Sequence, residues 1–329
     1  MEKSIIKKLF IKLSRLLGYE IVDQSNFSSP TLQKELNEDL SIINKKSIVL
    51  PLGDVKITKK VSSILTVFRT NTDIEIWDQN KKRLFEEPKI EYSVRALKSL
   101  IKSINFSKNK YPNIKFKITI VDDKSKEENL NRIKKVIDGS GLDINITSLG
   151  HEKYKNTIKQ QKNNQTFSNL ASLLQSFELG KEHGEDLIFF VEDDYLHFEP
   201  MIEEMIASYE RIASQLNKDI FMCPADYPYL YMSNEKTNIL IGNKRHWRTI
   251  DRTLCTFMTT KSLLDKYWDN FYNNCLDRHD PFEKHLNEIY SKEFCISPLK
   301  SLSLHLTNVN SSYGLSPFIN YKKLWDENK

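Results

Sequence analysis

Glu192, Asp193 and Asp194 stand in a row at the end of the apolar run in LIFFVEDDYLHFE, residues 187–199. Three adjacent carboxylates repel one another, and a divalent cation is the simplest counter-charge that lets them share a small space. An apolar run this short, flanked by polar sequence, reads as a strand buried on both faces at the centre of a mostly parallel sheet. The acids then lie beyond the carboxyl end of that strand, where ligands bind in open α/β sheets. Side chains alternate along an extended chain, so Glu192 and Asp194 are expected to face one way and Asp193 the other. A solvated acidic turn is the alternative reading.

Other residues have types suited to such a centre. His305 ends the alternating run SPLKSLSLHLT, residues 297–307. A neutral imidazole is a common metal ligand, although alternation with leucines equally fits a core histidine. Asp122 and Asp123 follow the apolar run 116–121, either as ligand-facing acids or as a helix-entry loop. Asp280 and Glu283 flank Pro281 in a charged segment that begins with Asp277, Arg278 and His279. A carboxylate there can take a proton from a hydroxyl, and an Asp before a first turn is also a good helix cap. Arg248, Arg252 and Lys244 offer positive charge to a phosphate, while Trp247 and Tyr229 can stack on a ring or fill a core.

The acidic run is the fourth strand of an alternation. Residues 63–69, 116–121 and 142–149 read as strands, with helices predicted over 88–104, 127–137 and 168–179. In the last helix Ser168 is a plausible cap and Gly180 a stop. Strand–helix alternation makes βαβ units whose helices cover both sheet faces. Beyond it, Pro200 opens a helix to about residue 216. Residues 238–243 and 248–259 suggest strands of a small antiparallel appendage, 262–272 and 281–290 helices, and 297–307 one late strand. The tail 308–329 has the composition of a lid.

Ahead of this domain, residues 48–57 suggest a strand or hairpin. Residues 4–17 suggest a helix with Ile5, Ile6, Leu9, Phe10, Leu13, Leu16 and Leu17 on one face and Lys3, Lys7, Lys8, Lys12 and Arg15 between them. Such a helix fits an anionic membrane surface, its own domain or a twin subunit in a homodimer. The expected division is an N-terminal helical extension over 1–60, an α/β domain over 61–307 and a tail over 308–329.

Composition narrows the class. A 329-residue chain with 39% hydrophobic and 28% charged residues has enough apolar sequence for a sizeable core. The net charge of +5 suits an anionic substrate or surface and does not call for nucleic acid. Cys223, Cys255, Cys275 and Cys295 form no CxxC pair, which disfavours a zinc site or disulfide framework and makes a reducing, cytoplasmic setting the default. No stretch is apolar for long enough to cross a membrane, and lysines interrupt any signal-peptide core. Neither GxGxxG nor a Walker lysine loop follows the first strand.

An α/β domain whose fourth strand ends in an acidic triplet resembles the nucleotide-sugar glycosyltransferases of the GT-A fold, including bacterial enzymes that assemble polysaccharide or glycolipid. The resemblance covers the order of elements over about residues 63–307 and rests on short motifs. It implies a GT-A-like, Rossmann-like sheet flanked by helices, with a nucleotide-binding half over 61–199 and an acceptor-binding half over 200–307. It implies Mn²⁺ or Mg²⁺ held by Asp194, with His305 completing the shell. Glu192 replaces the usual first Asp of the motif, leaving open whether it touches the metal, the ribose or neither. Phe68, Arg69 and Thr70 then match the strand end that meets the nucleotide, Asp122 or Asp123 the acid that recognises base or ribose, and Asp193 and Arg248 further donor contacts. Asp280, or else Glu283, matches the general base of inverting members. The implied partners are a nucleoside diphosphate sugar and a glycan or lipid-linked glycan. A nucleotidyltransferase, or a glycan-binding protein without activity, remains the alternative.

Overall fold

Apolar runs too dense to alternate build the centre of the molecule. The computed structural model describes residues 5–19, 21, 39–49, 53–73, 83–232, 236–307, 314–316 and 318–329. α1 (Ile5–Leu16) precedes a three-stranded antiparallel sheet of β1 (Ser41–Ile42), β2 (Lys46–Val49) and β3 (Gly53–Lys56). β4 (Ser63–Thr70), α2 (Lys89–Lys110), β5 (Lys115–Asp122), α3 (Glu127–Asp138), β6 (Asp143–Ser148), α4 (His151–Tyr154), α5 (Asn164–His183) and β7 (Leu187–Glu192) follow. Next come β8 (Tyr195–His197), α6 (Met201–Leu216), β9 (Phe221–Met222), β10 (Ile239–Ile241), β11 (His246–Thr249) and β12 (Phe257–Thr260). α7 (Lys261–Lys266), α8 (Trp268–Asn274), α9 (Lys284–Tyr290), β13 (Cys295–Pro298), β14 (Ser303–His305) and α10 (Tyr321–Asp326) complete the chain.

The main sheet has nine strands in the order β10-β11-β13-β9-β12-β7-β4-β5-β6. β6, β5, β4 and β7 are parallel; β12 and β11 run against them, and the other seven strands share one direction. Alternate residues of β4 feed two helical layers. Ile64 and Phe68 join Leu97 and Leu100 of α2 and Met205 of α6 on one face, whereas Leu65 and Val67 join Leu170, Leu174 and Phe177 of α5 on the other. With its small antiparallel sheets, this is the GT-A-like, Rossmann-like fold with extensions that the strand order implies.

Two registers position the site. In the parallel pair β4–β7, Arg69 lies opposite Glu192, and in β4–β5 Thr70 lies opposite Asp122. In the separate two-stranded sheet, β14 pairs with β8 so that His305 lies opposite Tyr195. That second pairing carries a residue from the end of the domain back to the end of β7.

Several expected elements differ. α5 is capped by Asn163, whose side chain accepts from the Thr166 N–H, and runs to His183 with Gly184 after it. Gly180 is therefore not a stop: a Cβ there would lie 2.7 Å from Phe190 Cζ, so the missing side chain lets the helix approach the sheet. The segment 248–259 is two strands, not one, because Leu254 and Cys255 turn the chain in left-handed conformations, at φ of 51° and 60°. Residues 262–272 divide at Tyr267 into two helices, and 297–307 divides between β13 and β14 in different sheets. The β10–β11 hairpin is an edge of the main sheet.

The end of the tail is packed. Trp325 stacks on Phe85 at 4.1 Å, and Arg95 donates to the Trp325 carbonyl at 2.7 Å. Residues 308–313 and 317 of the expected lid lie outside the described residues.

Candidate metal centre

β7 leaves the sheet at Glu192, and the chain turns at once into β8. One ligand atom each from Glu192, Asp194 and His305 lies within 4.8 Å of the other two. That spread suits atoms around one cation at ~2.0–2.2 Å from each. His305 Nε2 meets Asp194 Oδ2 at 3.2 Å, and Thr307 Oγ1 donates to the same oxygen at 2.5 Å. Asp194 Oδ1 is buried with no hydrogen-bond partner among the described residues. A buried carboxylate oxygen without a donor is costly, and a cation would satisfy it. The residues therefore fit a divalent ion bound by two carboxylates and an imidazole.

Electrostatics set these groups apart. Burial pushes the Glu192 carboxyl up to about 7, against the pull of Arg69. Burial would raise Asp194 too, but His305, Lys89 and the Thr307 hydroxyl outweigh it and hold this carboxyl well below the usual range. His305 is raised in turn, because Asp194 and Glu192 more than offset its own burial. Its ring lies flat against Tyr195 at 4.5 Å.

Beside this cluster is an open cavity of about 170 Å³ lined by Arg69, Thr70, Lys89, Asp123, Asn169 and Glu192, among others. Arg69 crosses its wall: Nη2 donates to Glu192 Oε1 at 2.6 Å, and Nη1 to Asn169 Oδ1 and Ser172 Oγ at 3.0 Å each. Asp193 is not part of the metal cluster; the strand ends at Glu192, so a turn and not strand alternation directs its side chain, which lines the cavity. Its carboxylate accepts from Lys89 Nζ at 2.5 Å, Ser93 Oγ at 2.5 Å, Thr70 Oγ1 at 2.9 Å and the Asn71 N–H at 3.3 Å. These donors tie the ends of β4 and β7 to the first turns of α2. Asp123 meets His151 at 2.6 Å and Asn71 at 2.8 Å at the far side of the cavity.

Other expected site residues lie elsewhere. Phe68 is fully buried in the core and turns no side chain to the cavity. Asp122 is buried, accepts from the Ser125 N–H at 3.2 Å and is raised by that burial. Arg248 pairs with Asp226 at 2.9 Å beneath the Tyr231 ring and does not line the cavity. Glu283 is buried and accepts from Thr253 Oγ1 at 3.2 Å, the Leu254 N–H at 2.9 Å and the Cys255 N–H at 2.5 Å. It clamps the left-handed turn, whose next residue, Thr256, accepts from the Glu192 N–H at 3.3 Å. Burial raises its carboxyl despite those donors. Asp280 is no helix cap, since α9 starts at Lys284. It is exposed, and among the described residues its carboxylate makes no hydrogen bond or ion pair.

Sequence reasoning passed over Lys89, Asn71, His151, Gln165, Asn169 and Ser172. A signal existed for three of them: Gln165, Ser168, Asn169 and Ser172 recur at helical spacing as a polar stripe, and all four line the cavity.

No family model and no curated protein matches the chain. Among solved structures, it is similar to TarS 1–349 of S. aureus at 12% identity, covering 76% of this chain and 59% of that one with a TM-score of 0.42. A longer S. aureus TarS structure matches at 14% identity over 62% of this chain and 29% of that one, with a TM-score of 0.34. The galactosyltransferase LgtC, in complex with donor and acceptor sugar analogues, matches at 11% identity over 69% of this chain and 70% of that one, with a TM-score of 0.35. The chain thus spans well under two thirds of either TarS structure.

Proposed function

We propose that this protein is a metal-dependent glycosyltransferase that moves a sugar, of hexose type, from a nucleoside diphosphate sugar to a hydroxyl of a glycan or lipid-linked glycan. The observation that carries the reading is the convergence of Glu192, Asp194 and His305 beside the Arg69-lined cavity at the carboxyl end of the parallel strands. Glu192, Asp194 and His305 would hold Mn²⁺ or Mg²⁺, the imidazole favouring Mn²⁺. Such an ion, when bound, acts as a Lewis acid toward the diphosphate leaving group.

The protein's own groups supply the rest. Arg69, always charged and held by Glu192, Asn169 and Ser172, presents fixed positive charge where a departing diphosphate gathers its negative charge. Lys89 adds to it from the start of α2. Asp123, held by His151 and Asn71, would meet the ribose or base. Transfer with inversion needs a carboxylate to take the acceptor's proton as the new bond forms. With Glu283 engaged by three donors, Asp280 is the acid assigned to that role.

The test is thermal stabilisation by nucleoside diphosphates with and without Mn²⁺, repeated in Asp194→Asn. Mn²⁺-dependent stabilisation that disappears in the variant is the expected result. Stabilisation that survives intact removes Asp194 from the site. Product analysis then separates the rivals: transfer releases nucleoside diphosphate, whereas a nucleotidyltransferase consumes a sugar phosphate and releases pyrophosphate. Glycan binding with no metal-dependent stabilisation would identify a non-catalytic relative.

A further inference from the structure

The first helix turns its apolar side to solvent. Leu9, Phe10, Leu13 and Leu16 recur at spacings of three and four, which places them on one face of α1. Leu9, Phe10, Leu13 and Leu16 are between 54% and 77% exposed, while Ser14 is buried and donates to the Phe10 carbonyl at 2.9 Å. A contiguous apolar stripe in water marks a surface that meets a partner. Among the described residues none covers this stripe, and the two outside surfaces that could meet it are a second copy and a lipid surface.

Charge decides between them. The first nineteen residues hold five basic side chains and one acidic one, so +4 of the whole chain's +5 sits on this short segment. No acid lies between Lys3 and Tyr19. Two such helices packed face to face would bring lysines together with no acid to offset them. Anionic headgroups would neutralise the same lysines while the stripe entered the acyl boundary. We infer that α1 is an in-plane anchor that docks this protein on an anionic phospholipid surface. The inference does not rest on the transferase reading, and its test needs no turnover.

The experiment is co-sedimentation of the full-length protein with phosphatidylcholine vesicles, with and without about one third phosphatidylglycerol. Binding is expected only to the anionic vesicles, and added salt should weaken it. Lys12→Glu changes the charge by two units and should lower the partition coefficient about thirtyfold, at about fivefold per unit of charge. Leu13→Asp should abolish binding. Both positions are exposed, so neither variant should shift the thermal midpoint, and Lys12→Glu tests the inference even if Leu13→Asp loosens the helix. Failure to bind anionic vesicles, or binding unaffected by Lys12→Glu, overturns it. So does a concentration-dependent dimer, lost in Leu13→Asp, with no vesicle binding.

Discussion

Asp193 and Asp194 are neighbours in sequence, yet the structure gives them opposite jobs, and replacing each with asparagine should separate frame from site. Asp193→Asn neutralises one partner of the Lys89 pair, whose side chains are only 14% and 10% exposed, and presents an amide to donors that need an acceptor. Breaking a buried pair from one side costs ~3–5 kcal/mol. Lys89 also reaches the edge of the open cavity, which places this case at the lower end, about 3 kcal/mol. At ~2 °C per kcal/mol for a chain of this size, the melting midpoint should fall by about 6 °C. Asp194→Asn keeps an oxygen for the Thr307 hydroxyl but loses the charge that His305 and Lys89 stabilise, in a pair as enclosed as the first with side chains 10% and 15% exposed, so its midpoint in a chelator should also fall by about 6 °C. The assay is thermal melting in EDTA followed by calorimetric titration with Mn²⁺. Both variants should melt early, but only Asp194→Asn should fail to bind metal. An unmoved Asp193→Asn, or an Asp194→Asn that binds Mn²⁺ as the parent does, would refute the assignment of that residue.

Further outcomes follow from other contacts. His197 is buried with Nδ1 on Ser303 Oγ at 2.7 Å, and burial pushes its imidazole down to about 3. The unfolded chain therefore takes up the proton first, and stability is lost as pH falls from the ordinary value near 6.5 toward 3. Between pH 7 and 5 the parent should lose about 2 kcal/mol more than His197→Gln in urea unfolding, and equal losses would contradict the burial argument. Gly180→Ala should cost ~1–2 kcal/mol despite alanine's better helix propensity, because its Cβ would meet the Phe190 ring; a neutral or stabilised variant in the same assay would show that the ring yields. Asp280→Asn should cut turnover by ~100-fold while leaving nucleoside diphosphate affinity nearly unchanged, as steady-state kinetics and calorimetry can check. Glu283→Gln should lower stability by ~2 kcal/mol and weaken Mn²⁺ binding, since the turn beside Glu192 loses an acceptor; loss of turnover alone would make Glu283 the base instead.

The strands were legible because burial on both faces leaves a local mark. Leu187–Glu192 is apolar at five of six positions, and Ser63–Thr70 carries Ile64, Leu65, Val67 and Phe68 on both faces, as strands at the centre of a sheet do. The ends of longer elements were less legible. Gly180 carries the sequence signal of a helix stop but serves close packing, and Leu254 and Cys255 adopt left-handed turns without glycine because Glu283, about thirty residues away, accepts their N–H groups. Nothing near either turn residue foretells that acceptor.

By itself, the sequence determined that three acids would stand at the exit of a buried strand. That follows from apolar density, which is a local property; the turn at 193–194, and not the two-residue period, sets which way Asp193 points. Only the tertiary structure decided what those acids meet. Arg69 reaches Glu192 through the register of two parallel strands, and His305 reaches Asp194 across 111 residues through the pairing of β14 with β8. Register and strand pairing depend on how the whole sheet closes over its core, and local spacing does not encode that choice.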